Sequence, residues 1–384
     1  MRLPVPTPLL FPLALPAALV ASFLVAAPAC SGGGGATGAF DRRAVLRSVA
    51  DQVAVPGYRA FAEAAGPVRD AAAALCAAPG PEALGEVRAK WDAARAAQKR
   101  MEVFAFGPVT EQPWRLGPRL DFWPVRTEDV ERLLGGTAPL TREAVAGLGA
   151  HLTGMPVLEY LLFSPADEAA LLAGLGGDAQ STRRCEYLAA VAANVADDAD
   201  RLWRAWAPEG DDYAGAFARS GESGGAFRDE DVAFSELVNR TVFTVENARE
   251  MKLSKPQGRA TGSGPRPALV ESRFSDRSLQ DMIDTLAGIE AVYRGALEET
   301  PKAAGLRAGI LVRRPDLDAR FFEQLAATRA ALEAVPPPLR TALSAHPAEV
   351  EAAYEAVLAL QRFLAIEISQ ALWVTVAFND TDGD

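Results

Sequence analysis

Two histidines, His151 and His346, are the only imidazoles in this chain of 384 residues. That scarcity excludes the two-histidine zinc motif HExxH and any His-rich metal site. Positive charge is also short: 39 Lys and Arg face 50 Asp and Glu, for a formal charge of −11. An excess of carboxylates argues against nucleic-acid binding, which needs a basic surface. No Walker loop occurs, and the strings that match GxSxG (GESGG, 221–225) and GxGxxG (GGGATG, 33–38) lie in Gly-rich stretches with no strand pattern before them, so those chemistries have no carrier. A Ser-His-Asp arrangement would have to recruit one of two isolated histidines. Alternating apolar and polar runs of strand length are missing as well.

What remains is helical. Alanine is abundant and favours helix. Leu188, Val191, Val195, Ala199, Leu202 and Trp206 form one stripe, with Asp197, Asp198 and Asp200 opposite or beside it. Leu279, Met282, Ile283, Leu286, Ile289, Val292 and Tyr293 repeat the pattern. Segment 348–376 is apolar on most sides around Leu358–Trp373, as a central buried helix would be. The expected class is all-α, with two packed helical-bundle domains at 41–207 and 229–384. Between them, 208–228 is rich in Gly, Ser and charge and reads as a linker. A second irregular stretch, 254–271, carries three prolines and three glycines and reads as a functional or mobile loop. Pro336, Pro337 and Pro338 stop a helix before the last ones.

Residues 1–29 read as a signal peptide: Arg2 is followed by the apolar run Leu9–Ala27. Pro8, Pro12, Pro16 and Pro28 argue against one uninterrupted spanning helix. Small residues ahead of Cys30 resemble a bacterial lipoprotein cleavage site, so Cys30 is the expected lipidation point; ordinary secretion with cleavage near Ala29 is the competing reading. Residues 30–40, with four consecutive glycines, then form a flexible tether. The protein is expected to be exported and lipid-anchored in the cell envelope, with Ser31 pointing to the periplasmic face of an outer membrane. Cys76 and Cys185 are then the remaining thiols. An even pair in an oxidising compartment reads as a disulfide, and two buried free cysteines are the alternative.

Ten residues, GMPVLEYLLF at 154–163, resemble the Gly-x-His-x-x-Glu motif of the imelysin family, envelope proteins first described as metallopeptidases. The histidine slot holds Pro156. His and Glu three apart on a helix can share a metal ion, whereas proline offers no ligand atom. Other strings resemble the lipoprotein-type branch of that family in the same order. They are MEVFAFGP at 101–108 after Trp91, LDFWPV at 120–125, RRCEYL at 183–188, MKLSKPQG at 251–258, ESRFS at 271–275 and VTVAFNDTDGD at 374–384. The resemblance implies two four-helix-bundle-like domains with the motif near the groove between them, an exported or surface-anchored protein, and a link to iron acquisition.

Glu159 is the leading candidate. Pro156 suits the first turn of a helix, which sets Glu159 one turn inside among apolar neighbours, where a carboxylate is desolvated unless paired. It reads either as a cleft carboxylate for a cation or amine, or as a bracing acid paired with Arg115, Arg119 or Arg126. Asp121, Trp123 and Arg126 lie on an aromatic turn that lines a pocket or plugs a gap between helices. Glu102 follows by the same logic of an acid on an apolar face. Asn379, Asp380 and Asp382 are dense in oxygen ligands and resemble the opening of a calcium loop. Glu159 with Asp380 and Asp382 would make an oxygen-only site for a hard cation, iron or calcium. His151 lies beyond Gly154 and is read as a surface or capping residue. The expected function is binding in iron or metal uptake without peptidase activity, with a metal or small ligand, the membrane and other envelope uptake proteins as partners. The alternatives are a metallopeptidase with a rearranged metal site and a structural envelope scaffold.

Overall fold

Every regular element among the described residues is a helix, as the 3.6-residue stripes require. The structure is a computed structural model, and it describes residues 40–298, 300 and 303–377. The expected signal segment, Cys30 and the tail residues Asn379, Asp380 and Asp382 lie outside the described residues.

Three long helices, Val55–Ala77, Pro81–Arg100 and Ala179–Trp206, pack together in the N-terminal part. The last of them starts at Asp178, whose carboxylate accepts from the Ser181 amide at 2.7 Å, satisfying one of the donors a helix start leaves open. Its stripe from Leu188 to Trp206 is buried throughout. Asp198, beside that stripe, is also buried and is neutralised by Arg119 at 2.8 Å and Arg201 at 2.9 Å. Cys76, near the end of Val55–Ala77, and Cys185, near the start of Ala179–Trp206, form a disulfide with Cα atoms 5.4 Å apart.

Helices Glu230–Asn247, Ser278–Arg294, Asp316–Glu333 and Pro347–Arg362 build the C-terminal part. Ser278–Arg294 packs on Asp316–Glu333 on one side and on Pro81–Arg100 on the other, so it is the seam between the two parts. Gly288 makes that seam close: a Cβ there would stand 1.9 Å from the Arg100 carbonyl oxygen.

Three features differ from expectation. The stretch 208–228 is folded in rather than open, with a short helix, Tyr213–Ala218, whose Tyr213 and Phe217 are buried. Their rings join an aromatic cluster, Tyr213 at 4.9 Å from Trp206 and Phe217 at 5.3 Å from Phe106; aromatic burial outweighs the Gly and charge around them. Segment 254–271 holds a helical turn, Lys255–Gln257, and a 3-10 turn, Pro267–Leu269. The apolar run toward Trp373 is buried only on one side, since Ile366 and Trp373 are exposed. π-helical turns interrupt the helices at Ala50–Ala54, Ala248–Ser254 and Phe363–Ile368. Each widened turn shifts the register of the side chains that follow, and the second delivers Lys252 into the interior.

Gly288→Ala is expected to lower the unfolding free energy by about 1–3 kcal/mol through overpacking. Gly85→Ala, with nothing within 4 Å of the added carbon, should instead stabilise by about 0.5–1 kcal/mol through helix propensity. Urea denaturation of the two variants reads the difference.

Candidate functional site

Helix Pro81–Arg100 presents Trp91, Arg95 and Lys99 on one buried face, because positions four apart stack along a helix. Ser278–Arg294 opposes it with Asp281, Asp284 and Thr285, all buried. Glu271 arrives from the loop before that helix, Asp121 from the turn after Gly117–Leu120, and Lys252 from the π-helical turn.

The Lys99 ammonium sits where three carboxylates meet, 2.6 Å from Glu271, 2.8 Å from Glu102 and 3.1 Å from Asp121. Arg95 reaches Asp121 at 2.8 Å, Glu271 at 3.0 Å and Asp281 at 3.0 Å. Lys252 binds Glu102 at 2.7 Å and lies 3.3 Å from Glu271. Thr285 donates to Glu102 at 2.7 Å. Arg277 extends the network to Asp281 at 2.9 Å and Asp284 at 2.8 Å. Burial works to raise the Glu102 and Asp121 pKa values, yet the cations win: Lys252 and Lys99 hold Glu102, and Arg95 and Lys99 hold Asp121, below the ordinary carboxylate range. Burial and Arg95 work to lower the Lys99 pKa, and Asp121, Glu102 and Glu271 raise it well above its usual value.

Glu159 follows a different rule. Gly154, at φ +87°, starts its helix, Met155–Phe163; a Cβ at Gly154 would lie 2.7 Å from the carbonyl oxygens of Arg119 and Leu120. The Trp91 indole donates to the Met155 carbonyl at 3.2 Å and fixes the first turn. Glu159 is 3 % exposed and pairs with none of Arg115, Arg119 or Arg126. Its Oε1 accepts from the Phe274 amide, the Ser275 amide and the Ser275 hydroxyl, each at 2.9 Å. Arg119 is engaged by Asp198 instead. Burial pushes the Glu159 pKa up to about 7, against the pull of the Ser275 bonds and the more distant Arg95.

Beside the network lies a cavity of about 350 Å³. Its walls include Phe61, Met101 and Trp123, and Lys99, Glu102 and Asp121 stand at its polar end. Lys255 lies 5.7 Å over the Trp123 ring. Thus Asp121, Trp123 and Glu102 come together, whereas Arg126 is exposed at the start of helix Thr127–Leu134 and does not line the cavity. Asp121 takes its partners from Arg95 and Lys99, not from Arg126. His151 stands 3.6 Å from Asp129 and near the Phe122 ring, and His346 is 3.8 Å from Glu349.

Among the described residues, Glu102, Asp121 and Glu271 are the group whose carboxylate oxygens approach as metal ligands would, within 4.8 Å of one another; Glu159 is not in it. All three bind Lys99, which takes the central position a cation would need. With Pro156 one turn before Glu159, and Glu159 held by the 274–275 amides, the described residues around it do not fit a catalytic zinc site of His and carboxylate ligands. Sequence reasoning missed Arg95, Lys99, Asp281 and Arg277. Part of the signal was there: Arg95 and Lys99 continue the apolar stripe of Leu84, Val87 and Trp91, whereas Arg277, Asp281 and Asp284 lie opposite the stripe from Leu279 to Tyr293, on the face that reads as solvated.

A family model for Imelysin matches residues 54–366. The chain is similar to the iron-regulated protein A of Synechococcus elongatus, 26% identical over 312 residues, covering 81% of this chain and 80% of that protein. Two crystal structures share the fold. One, described as an iron-regulated protein A precursor from Parabacteroides distasonis, gives a TM-score of 0.72 at 22% identity, covering 86% of this chain and 94% of that one. The other, an imelysin-like protein from Psychrobacter arcticum, gives 0.69 at 18% identity, covering 88% and 97%.

Arg95→Met should lower stability by about 3–5 kcal/mol, because it strands buried carboxylates, as read by urea denaturation. Glu159 gives a pH test. Its folded pKa of about 7 lies above the ordinary 4.5, so between those values the folded state holds a proton that the unfolded chain releases. The stability this contributes is full below about 4.5 and is lost as pH rises through 7. Relative to Glu159→Gln, the parent protein should lose on the order of 2–3 kcal/mol across that window, measured by denaturation at each pH; parallel curves would refute the assignment.

Proposed function

This chain belongs to the imelysin family, and on that premise we propose that it is an exported, lipid-anchored envelope protein that serves iron acquisition by binding rather than by hydrolysis. The observation carrying this reading is the Lys99 ammonium at the focus of Glu102, Asp121 and Glu271. A bare cation would have to expel Lys99 and leave its charge buried, which is expensive. The cavity at that charge-balanced end has aromatic and aliphatic walls, the usual lining of a small-molecule site. We infer that it takes a small organic ligand, so that iron arrives inside a chelate. The iron link itself rests on the name of the Synechococcus relative. Anchoring through Cys30, and cooperation with other envelope uptake proteins, belong to the same proposal.

A second reading, peptide hydrolysis at a rearranged site, has one feature in its favour: a buried Glu159 with a pKa of about 7 is tuned as a general base would be. Three donors from Phe274 and Ser275 bind the Glu159 Oε1 and leave Oε2 to take a proton, but Pro156, one turn before Glu159, offers no ligand for a metal that would activate water.

Thermal denaturation with added ferric citrate, ferric dihydroxybenzoate, Fe(II) or Ca(II) decides among these, because a ligand of the folded state must raise the midpoint. A chelate at about 100 times its Kd should add about 2.7 kcal/mol, and Trp123→Ala should remove the gain. Stabilisation by the bare ions alone, abolished by Glu102→Gln, would replace the chelate reading with a metal site. Chelator-sensitive cleavage of a peptide pool would establish the hydrolytic reading. No response in any arm leaves a structural scaffold.

A further inference from the structure

Six large apolar side chains stand exposed among the described residues, and three of the four most exposed, Leu311, Val312 and Trp373, fall on or at the end of two helices that touch. Leu311 and Val312 are on helix Leu306–Arg313, 46 % and 51 % exposed; Ile366 and Trp373 are on the run ending the last helix, 53 % and 75 % exposed. Gly309 allows the two elements to touch, since a Cβ there would meet Leu372 at 2.6 Å and Phe40 at 2.9 Å. Trp373 is not a fraying end. Its backbone is held at φ +60°, its amide donates to Gln370, and the next amide donates to Ser369. The Arg313 guanidinium stacks 3.8 Å from the Trp373 ring and 5.1 Å from Phe40, and donates to the Ala371 carbonyl at 3.3 Å. Arg42 reaches the Leu372 carbonyl from the other side at 3.4 Å.

Phe40 is the first described residue, and Cys30 precedes it by ten positions. Even fully extended, ten residues span at most roughly 35 Å. An acyl group on Cys30 therefore holds Phe40, and with it Trp373, close to a bilayer. Tryptophan and arginine suit that boundary: the indole sits at headgroup depth, and the guanidinium keeps its charge with phosphate. We propose that the surface formed by Trp373, Val312 and Arg313 docks on the phospholipid headgroup layer, so that the anchor and this surface together fix how the body lies on its membrane. This rests on the lipid-anchored reading above, and the test keeps the two apart.

Cys76 and Cys185 are paired, which leaves Cys30 as the free thiol of the mature chain. Residues Cys30–Asp384 are coupled through it to a maleimide lipid in phosphatidylcholine vesicles with brominated acyl chains, and tryptophan quenching is recorded. The tethered parent should be quenched. Trp373→Phe should lose that quenching with an unchanged circular dichroism spectrum and melting midpoint, and Val312→Ser should weaken it. Equal quenching in the parent and Trp373→Phe overturns the proposal. So does self-association in sedimentation that Trp373→Ser abolishes, which would assign the surface to a second copy. Because the chemical tether supplies the anchor, the outcome does not depend on acylation in the cell; the mass of Cys30 in protein from native membranes tests that separately.

Discussion

One ammonium group organises the interior. Lys99 is buried on helix Pro81–Arg100, yet its charge is balanced by Glu102, three residues on, and by acids from two other places in the chain, Asp121 and Glu271. None of these groups could be buried alone, since an isolated ion pays several kcal/mol of lost hydration. Each is therefore tolerated only while the others are in place. With Arg95, Lys252 and Arg277, the same logic extends to Asp281 and Asp284 on the opposing helix. The seam between the N-terminal and C-terminal parts is thus held by mutual neutralisation at one end and by the close contact at Gly288 at the other. An apolar seam of equal volume would be at least as stable. What the charged one adds is a single register, because a slip of either helix would leave a buried charge without its partner.

Glu159 is drawn into this arrangement without joining it. Glu159 uses one oxygen to gather two backbone amides and a hydroxyl from residues 274 and 275, at the end of the loop that brings Glu271 to Lys99. The Tyr160 ring packs 5.2 Å from Phe274 on the same loop. The motif helix therefore positions the loop, and the loop positions an acid of the network. Helix Met155–Phe163 thus braces the loop that carries Glu271, and the aromatic turn at Phe122 and Trp123 supplies a wall of the cavity.

Much of this was legible residue by residue. Helical periodicity gave the all-α class and the buried stripes of Ala179–Trp206 and Ser278–Arg294, because side-chain period depends only on local geometry. Asp121, Trp123 and Glu102 stood out as polar or aromatic residues in apolar settings, and they do share one cavity. Arg126, three positions from Trp123, does not, because the chain enters helix Thr127–Leu134 there and its side chain turns to solvent. The partners of the acids were harder to see. Arg95 and Asp281 are 186 residues apart and Lys252 and Glu102 are 150 apart, and no local pattern couples such distances. The stretch 208–228 misled for a related reason: its glycines and charges signal a linker, while Tyr213 and Phe217 find a home only once Trp206 and Phe106 are assembled.

By itself the sequence determined that the fold is helical, that histidines as far apart as 151 and 346 cannot form an HExxH motif, and that Pro156 offers no ligand atom beside Glu159. These follow from composition and from contacts within one helical turn. Tertiary structure alone decided what each buried charge is for. A carboxylate becomes a metal ligand, a base or a brace according to which cation or amide reaches it first. Here Lys99 reached three of them and the 274–275 backbone reached the fourth, a choice made by helices that meet only when the whole chain has closed.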